Sequence, residues 1–134
     1  MNILQGTIVS IKQADDLMLV FIDVKGQLFN SLILENSQEN RLEVGMDVNL
    51  IFKETEVSIA TKESVVSERN SFISKITEIE NGKLLANITF DFFTNEIGAI
   101  ITKGALHGLK CKLGDEFRWF VKSNEVTIQR IVNG

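Results

Sequence analysis

The sequence repeats itself, and the repeat sets the architecture before any single residue is read. VGMDVNLIFKETEVSI (residues 44–59) and LGDEFRWFVKSNEVTI (residues 113–128) align without a gap. Gly45 falls on Gly114, Lys53 on Lys122, Glu56 on Glu125 and Ile59 on Ile128, a separation of 114 − 45 = 69 residues. Upstream the separation drifts to 67 or 68, as one-residue changes in turns require. With 134 residues the chain is one ordinary domain or two small ones. The reading is two copies of one unit, residues 1–65 and 66–134, joined by the polar segment ESVVSERNS.

Each unit reads as five short strands. GTIVSI, LMLVFIDV, QLFNSLIL, DVNLIF and EVSIA are rich in Ile, Val, Leu and Phe, with polar or glycine-bearing breaks between them. SKITEI, KLLANITFDFF, GAIIT, EFRWFV and EVTIQ follow in the same order. The Asn-Gly of ENGK (80–83) predicts a tight type I′ hairpin, and VKGQ (24–27) predicts the turn between the second and third strands. The fold class is all-β: two tandem five-stranded barrels of the oligonucleotide-binding type, because closure removes exposed strand edges. In LMLVFIDV one face carries Leu17, Leu19 and Phe21, and the other Met18, Val20, Ile22 and Val24. A barrel this small buries one face, so the second is expected against another surface, and the chain is expected to form a dimer or trimer.

Composition narrows the function. The chain is 44% hydrophobic, with no long apolar run and no leader, so a soluble cytoplasmic protein away from membranes is expected. Cys111 is the single cysteine, which excludes an internal disulfide, and His107 is the single histidine, so no soft-ligand metal cluster is expected. His107 reads as a surface residue of a short helical turn in GALHGLKCKLG. No Ser-His-Asp order, paired carboxylates in a polar loop or phosphate-cradling glycine loop appears, so no enzyme is expected. The net charge of −4 gives no long-range attraction for polyanions, and any anion site must be local.

SERN (67–70), IT (101–102), KLGDE (112–116) and VKSNEVTI (121–128) together resemble the Mop domain, the molybdate-binding type of TOBE domain. The tandem is similar to the di-Mop molbindins and to the ligand domain of molybdate-responsive regulators. The resemblance implies a bound molybdate or tungstate and a storage, homeostasis or sensing role. It also implies a pocket from Ser67, Arg69, Asn70, Thr102, Lys122 and Ser123. Arg69 and Lys122 would balance charge, Ser67, Thr102 and Ser123 would donate hydrogen bonds, and Asn70 would fix the loop.

The chemistry supports such a pocket on its own terms. Molybdate and tungstate are tetrahedral dianions without a proton near neutral pH, so a site built only of donors suits them. Phosphate is partly protonated there and would turn its own donor toward other donors. The first repeat departs from the pattern: it lacks the Ser and Arg, Leu34 stands where Thr is expected, and Glu54 follows Lys53. It keeps Ser37 and Lys53. In the second repeat Ala105 replaces a Ser, and Ser74 stands where the first has Gly6. Complementary losses of this kind suggest pockets shared between repeats or chains. The alternative is a nucleic-acid-binding or scaffolding barrel, which would need exposed aromatics among basic residues; here acidic residues outnumber basic ones, so no nucleic-acid partner is expected.

Overall fold

The computed structural model describes residues 1–34 and 41–131, and Ser37 lies outside them. Ten strands form: β1 (Asn2–Ala14), β2 (Leu17–Val24), β3 (Gln27–Leu34), β4 (Asp47–Phe52), β5 (Ser58–Thr61), β6 (Asn70–Asn81), β7 (Leu85–Phe92), β8 (Asn95–Thr102), β9 (Glu116–Val121) and β10 (Thr127–Arg130). A short helix α1 (Lys103–Leu109) follows β8, and a single 3-10 turn precedes each of β5 and β10, at Glu54–Glu56 and Ser123–Glu125. The fold is all-β, as the alternating apolar pattern predicts. The no-transmembrane expectation meets one fact: among the described residues no helix is long and apolar enough to cross a membrane.

The two copies exchange their last strands. One sheet runs β10-β4-β1-β2-β3 and the other β5-β9-β6-β7-β8, with neighbouring strands antiparallel throughout. Thus β5, from the first copy, pairs with β9 of the second through Ile59↔Trp119, and β10 pairs with β4 through Ile128↔Leu50. Each 3-10 turn carries the chain across from one sheet to the other. An edge strand forms the same antiparallel bonds on its paired side whichever sheet it joins, so exchange costs no hydrogen bond and ties the repeats together.

Long first strands make each sheet curl. β1 pairs with β4 along its first half and β2 along its second, and the register shifts between Ile8 and Ser10. The extra residue, Val9, bends the strand so that it serves both neighbours. β6 repeats the device between Ile76 and Glu78. At each bend a glycine in the left-handed region, Gly45 (φ 95°) or Gly114 (φ 85°), donates its N–H to Ile8 O at 2.8 Å or to Ile76 O at 2.9 Å. Only glycine adopts that conformation without strain, which explains the Gly shared by VGMD and LGDE.

Inward faces fill one continuous core. Val20, Ile22 and Val24 of β2, on one of the two apolar faces, are buried, as are Ile88, Phe90 and Phe92 of β7. Aromatic rings join the halves: Phe29 and Phe52 from the first repeat meet Phe72, Phe92 and Trp119 from the second, with centroids 4.5 Å apart for Phe29–Phe72 and 6.1 Å for the stacked Phe52–Trp119. Such pairs contribute roughly 0.5–1.5 kcal/mol each beyond area burial. Part of the second apolar face is thereby covered by the sister repeat, while Ile3, Leu28 and Ile73 remain exposed.

Turn chemistry followed the sequence at one hairpin and departed at another. Lys25 (φ 50°) and Gly26 (φ 85°) both take positive φ between β2 and β3, as VKGQ predicts, and the matching turn uses Phe93 (φ 48°) and Thr94 (φ 72°). These two turns touch, Lys25 Nζ donating to Phe93 O at 3.0 Å and Thr94 Oγ1 at 2.9 Å. ENGK does not form the type I′ turn: neither Asn81 nor Gly82 has positive φ. There the glycine serves close approach instead. Gly82 N donates to Leu85 O at 2.8 Å, and a Cβ on Gly82 would lie 2.9 Å from that oxygen.

Gly6 shows the same constraint inside the core. A Cβ there would lie 2.7 Å from both Asp23 O and Ile22 Cγ2. The second copy instead has Ser74, buried, whose Oγ accepts the indole N–H of Trp119 at 2.9 Å. Gly6→Ala is expected to lower stability by about 1–3 kcal/mol through overpacking, read as a drop in the urea midpoint at unchanged slope.

Candidate functional site

Strand exchange creates two related junctions, and most of the second repeat's motif residues gather at one of them. β6 and β9 pair Asn70 with Val121, so Arg69 and Lys122 lie just beyond the same end of that ladder. In the first repeat Asn2 pairs with Phe52, which puts Lys53 at the matching place.

Each junction is locked by a buried asparagine reaching across to the other sheet. Asn70 Nδ2 donates to Asn30 O at 2.9 Å, and its Oδ1 accepts Asn30 N–H at 2.7 Å. Asn2 does the same to Gly98, with bonds of 2.9 and 2.7 Å. The carboxamide thus stands in for one rung of a ladder that the sheets do not otherwise share. Ser123 Oγ donates to Asn30 Oδ1, and Ser31 Oγ donates to Val126 O at 2.6 Å, so β3 is fastened to the second 3-10 turn.

The junctions differ by a compensating change of size. Where the second has Asn30 facing the short Ser123, the first has Gly98 facing the longer Glu54, whose Cγ would lie 3.1 Å from a Cβ on residue 98. The Glu54 carboxylate pairs with the amino group of Met1, and that hydrogen bond above all holds its pKa below the ordinary glutamate value. Lys53 is therefore followed by a carboxylate and Lys122 by a hydroxyl, which removes one negative charge from the second junction.

Beside Lys122 opens a cleft of about 310 Å³ lined by residues of both 3-10 turns, among them Glu56, Glu68, Lys122 and Glu125. Three carboxylates against one ammonium make this side acidic. The donor-only surroundings expected from sequence are not met within this cleft. Around the corner a second cleft of about 280 Å³ is lined by Ser64, Glu68, Arg69, Ser71 and Arg118.

The remaining motif residues are placed as follows. Ser67 and Arg69 are exposed on the segment entering β6, and Asn70 is fully buried. Thr102 sits at the far end of the second sheet, paired with Leu85, where its Oγ1 accepts Ala105 N–H at 3.1 Å as the N-cap of α1. Within one chain it does not meet Arg69 or Lys122. His107 is exposed on α1, and burial, reinforced by Asp115, pushes the half-buried Cys111 thiol upward. Among the described residues no group of His, Cys, Asp or Glu is placed to hold a metal ion. Sequence reasoning missed Asn30 and Arg118. The signal was a polar residue interrupting an apolar strand, in QLFNSLIL and EFRWFV.

The TOBE domain family matches residues 1–59. The match spans most of the first repeat and stops short of the second. A crystal structure of the cytoplasmic molybdate-binding protein ModG with molybdate bound is similar along the whole chain, with a TM-score of 0.91, 24% sequence identity, and coverage of 97% of this chain and 96% of that one. At that identity the likeness establishes a shared fold. No protein of curated function matches the chain in sequence.

The asparagine locks give a structural test. Asn70→Ala leaves the N–H and C=O of Asn30 buried and unpaired, at a cost of roughly 2–4 kcal/mol. Asn2→Ala is expected to cost less, because its bonds to Gly98 are only part-buried. Urea denaturation of the two variants side by side checks the order.

Proposed function

We propose that this protein binds molybdate, or tungstate, as a storage, homeostasis or sensing protein, and that it is not an enzyme. The observation that carries the reading is the second junction. Arg69, Lys122 and Ser123 converge there at the end of one ladder, on a fold that in ModG holds molybdate. A tetrahedral dianion beside Arg69 and Lys122 would exchange its hydration for charge-assisted bonds, each contributing about 1.5–3 kcal/mol.

The site is completed, in this reading, by a second copy of the chain. The carboxylates of Glu56, Glu68 and Glu125 oppose a dianion in the Lys122 cleft, so further donors are needed from outside. Thr102 is exposed and remote from its own junction, and Ile3, Leu28 and Ile73 offer apolar strand surface for such an assembly. Ser67 joins the donors at the second junction. The first junction, with Lys53 beside Glu54 and with Ser37, is the weaker site. The nucleic-acid alternative lacks its stacking platform, since Trp119, Phe29, Phe52, Phe90 and Phe92 are all buried.

Calorimetric titration tests the reading. Molybdate is expected to bind saturably and sulfate at least tenfold more weakly. Lys122→Ala is expected to weaken molybdate by roughly tenfold or more, the loss of one charge-assisted bond. Heat-silent titrations with molybdate and tungstate alike would remove the proposal.

A further inference from the structure

Arg118 occupies a position at which the fold itself asks for nothing charged. On β9 it pairs with Ala60 of the exchanged β5 on one side and Ile73 of β6 on the other. The matching surface of the first sheet is built from Asn49 and Gln129, joined by a side-chain bond of 3.2 Å, with Gln5 paired to Asn49 on the other side. That sheet forms the same ladder without a cation. In the second sheet the small Ala60 stands beside Arg118 where Gln129 stands beside Asn49.

The guanidinium of Arg118 is held rather than free. Nη1 donates to Ser71 Oγ and Nη2 to Lys62 O, each at 2.9 Å, which fixes the fork in one orientation. Nε is buried and without an acceptor among the described residues. No carboxylate pairs with Arg118 or Arg69 among the described residues, the nearby Glu116 being 4.0 Å from Lys62 Nζ. The 280 Å³ cleft is thus lined by two guanidiniums and the hydroxyls of Ser64 and Ser71, against the single carboxylate of Glu68. Donors outnumber acceptors and positive charge exceeds negative. The volume falls below the range typical of sites for drug-sized molecules.

We propose that this cleft is a second anion site, adjoining the Lys122 cleft and sharing Arg69 with the first site, that takes a small inorganic oxyanion on the preorganised fork of Arg118. A planar guanidinium presents hydrogens spaced for two oxygens of one tetrahedral ion, and an anchored one loses little freedom on binding. The serine hydroxyls accept as well as donate, so the cleft tolerates a protonated oxyanion. Sulfate and phosphate are therefore ligands here, and the selectivity proposed for the first site is not shared by this one.

The probes are sulfate, inorganic phosphate and molybdate, titrated calorimetrically into the full chain and into Arg118→Met, which keeps the side-chain stem and removes the fork. Weakening of sulfate and phosphate by roughly tenfold to a hundredfold is expected, with Trp119 fluorescence and the mass by light scattering unchanged. Arg118→Lys, which keeps the charge, is expected to fold and to bind between the two, and it serves if the Met variant does not fold. Wild-type affinity and stoichiometry in the Lys variant and the Met variant alike would overturn the proposal. So would a change of oligomeric mass with anion binding intact, which would make Arg118 an assembly residue. A wild-type protein that binds sulfate or phosphate but not molybdate would remove the molybdate reading and leave this one standing.

Discussion

The exchange of β5 and β10 is the constraint from which the rest follows. Because each repeat completes the other's sheet, neither holds all five strands from its own sequence, and the two crossing segments are forced to run past the opposite sheet. The second crossing is fastened by Ser123 to Asn30 and by Ser31 to Val126, and beside the crossings the sheets are bridged by Asn70 on Asn30 and Asn2 on Gly98. The aromatic cluster centred on Trp119 closes the space between the sheets with rings from both repeats. Polar locks at the ends and rings in the middle make one core out of two copies.

Duplication followed by divergence provides an internal control. Two junctions with the same backbone carry different side chains, so whatever differs is not demanded by folding. Glu54 opposite Gly98 and Ser123 opposite Asn30 conserve the space filled while reversing which strand fills it. The electrostatic outcome is unequal. The first junction holds a carboxylate tied to an amino group, and the second holds a hydroxyl next to two cations, Arg69 and Lys122, that lack ion-pair partners among the described residues. Function is accordingly sought in the second copy.

Much of the fold was legible because it rests on local pattern. Alternation along LMLVFIDV separated its two faces, of which the structure buries the one with Val20, Ile22 and Val24, and the glycine shared by VGMD and LGDE aligned the two copies at what the structure shows to be a left-handed turn. The strand exchange was not legible, since EVSIA and EVTIQ are so alike that either completes either sheet, and sequence assigns each to its nearer partner. ENGK misled because Asn-Gly signals a turn type, whereas Gly82 is needed for contact with the Leu85 carbonyl. At the site, Arg69, Asn70, Lys122 and Ser123 were drawn together by the motif, and the register unites them. Thr102 was named with them but caps α1 at the other end of the sheet. Glu56 beside Lys122 was invisible because it belongs to the other repeat and reaches the lysine only across the exchange.

Crystals equilibrated with molybdate and measured near the molybdenum absorption edge would locate the anion by its anomalous scattering, without reference to any side chain's assumed role. The account predicts a peak at the second junction, within hydrogen-bonding distance of Arg69 or Lys122 and bounded by residues of both repeats or of an adjoining copy. Peaks only on surfaces remote from both junctions, or no peak at saturating molybdate, would contradict it.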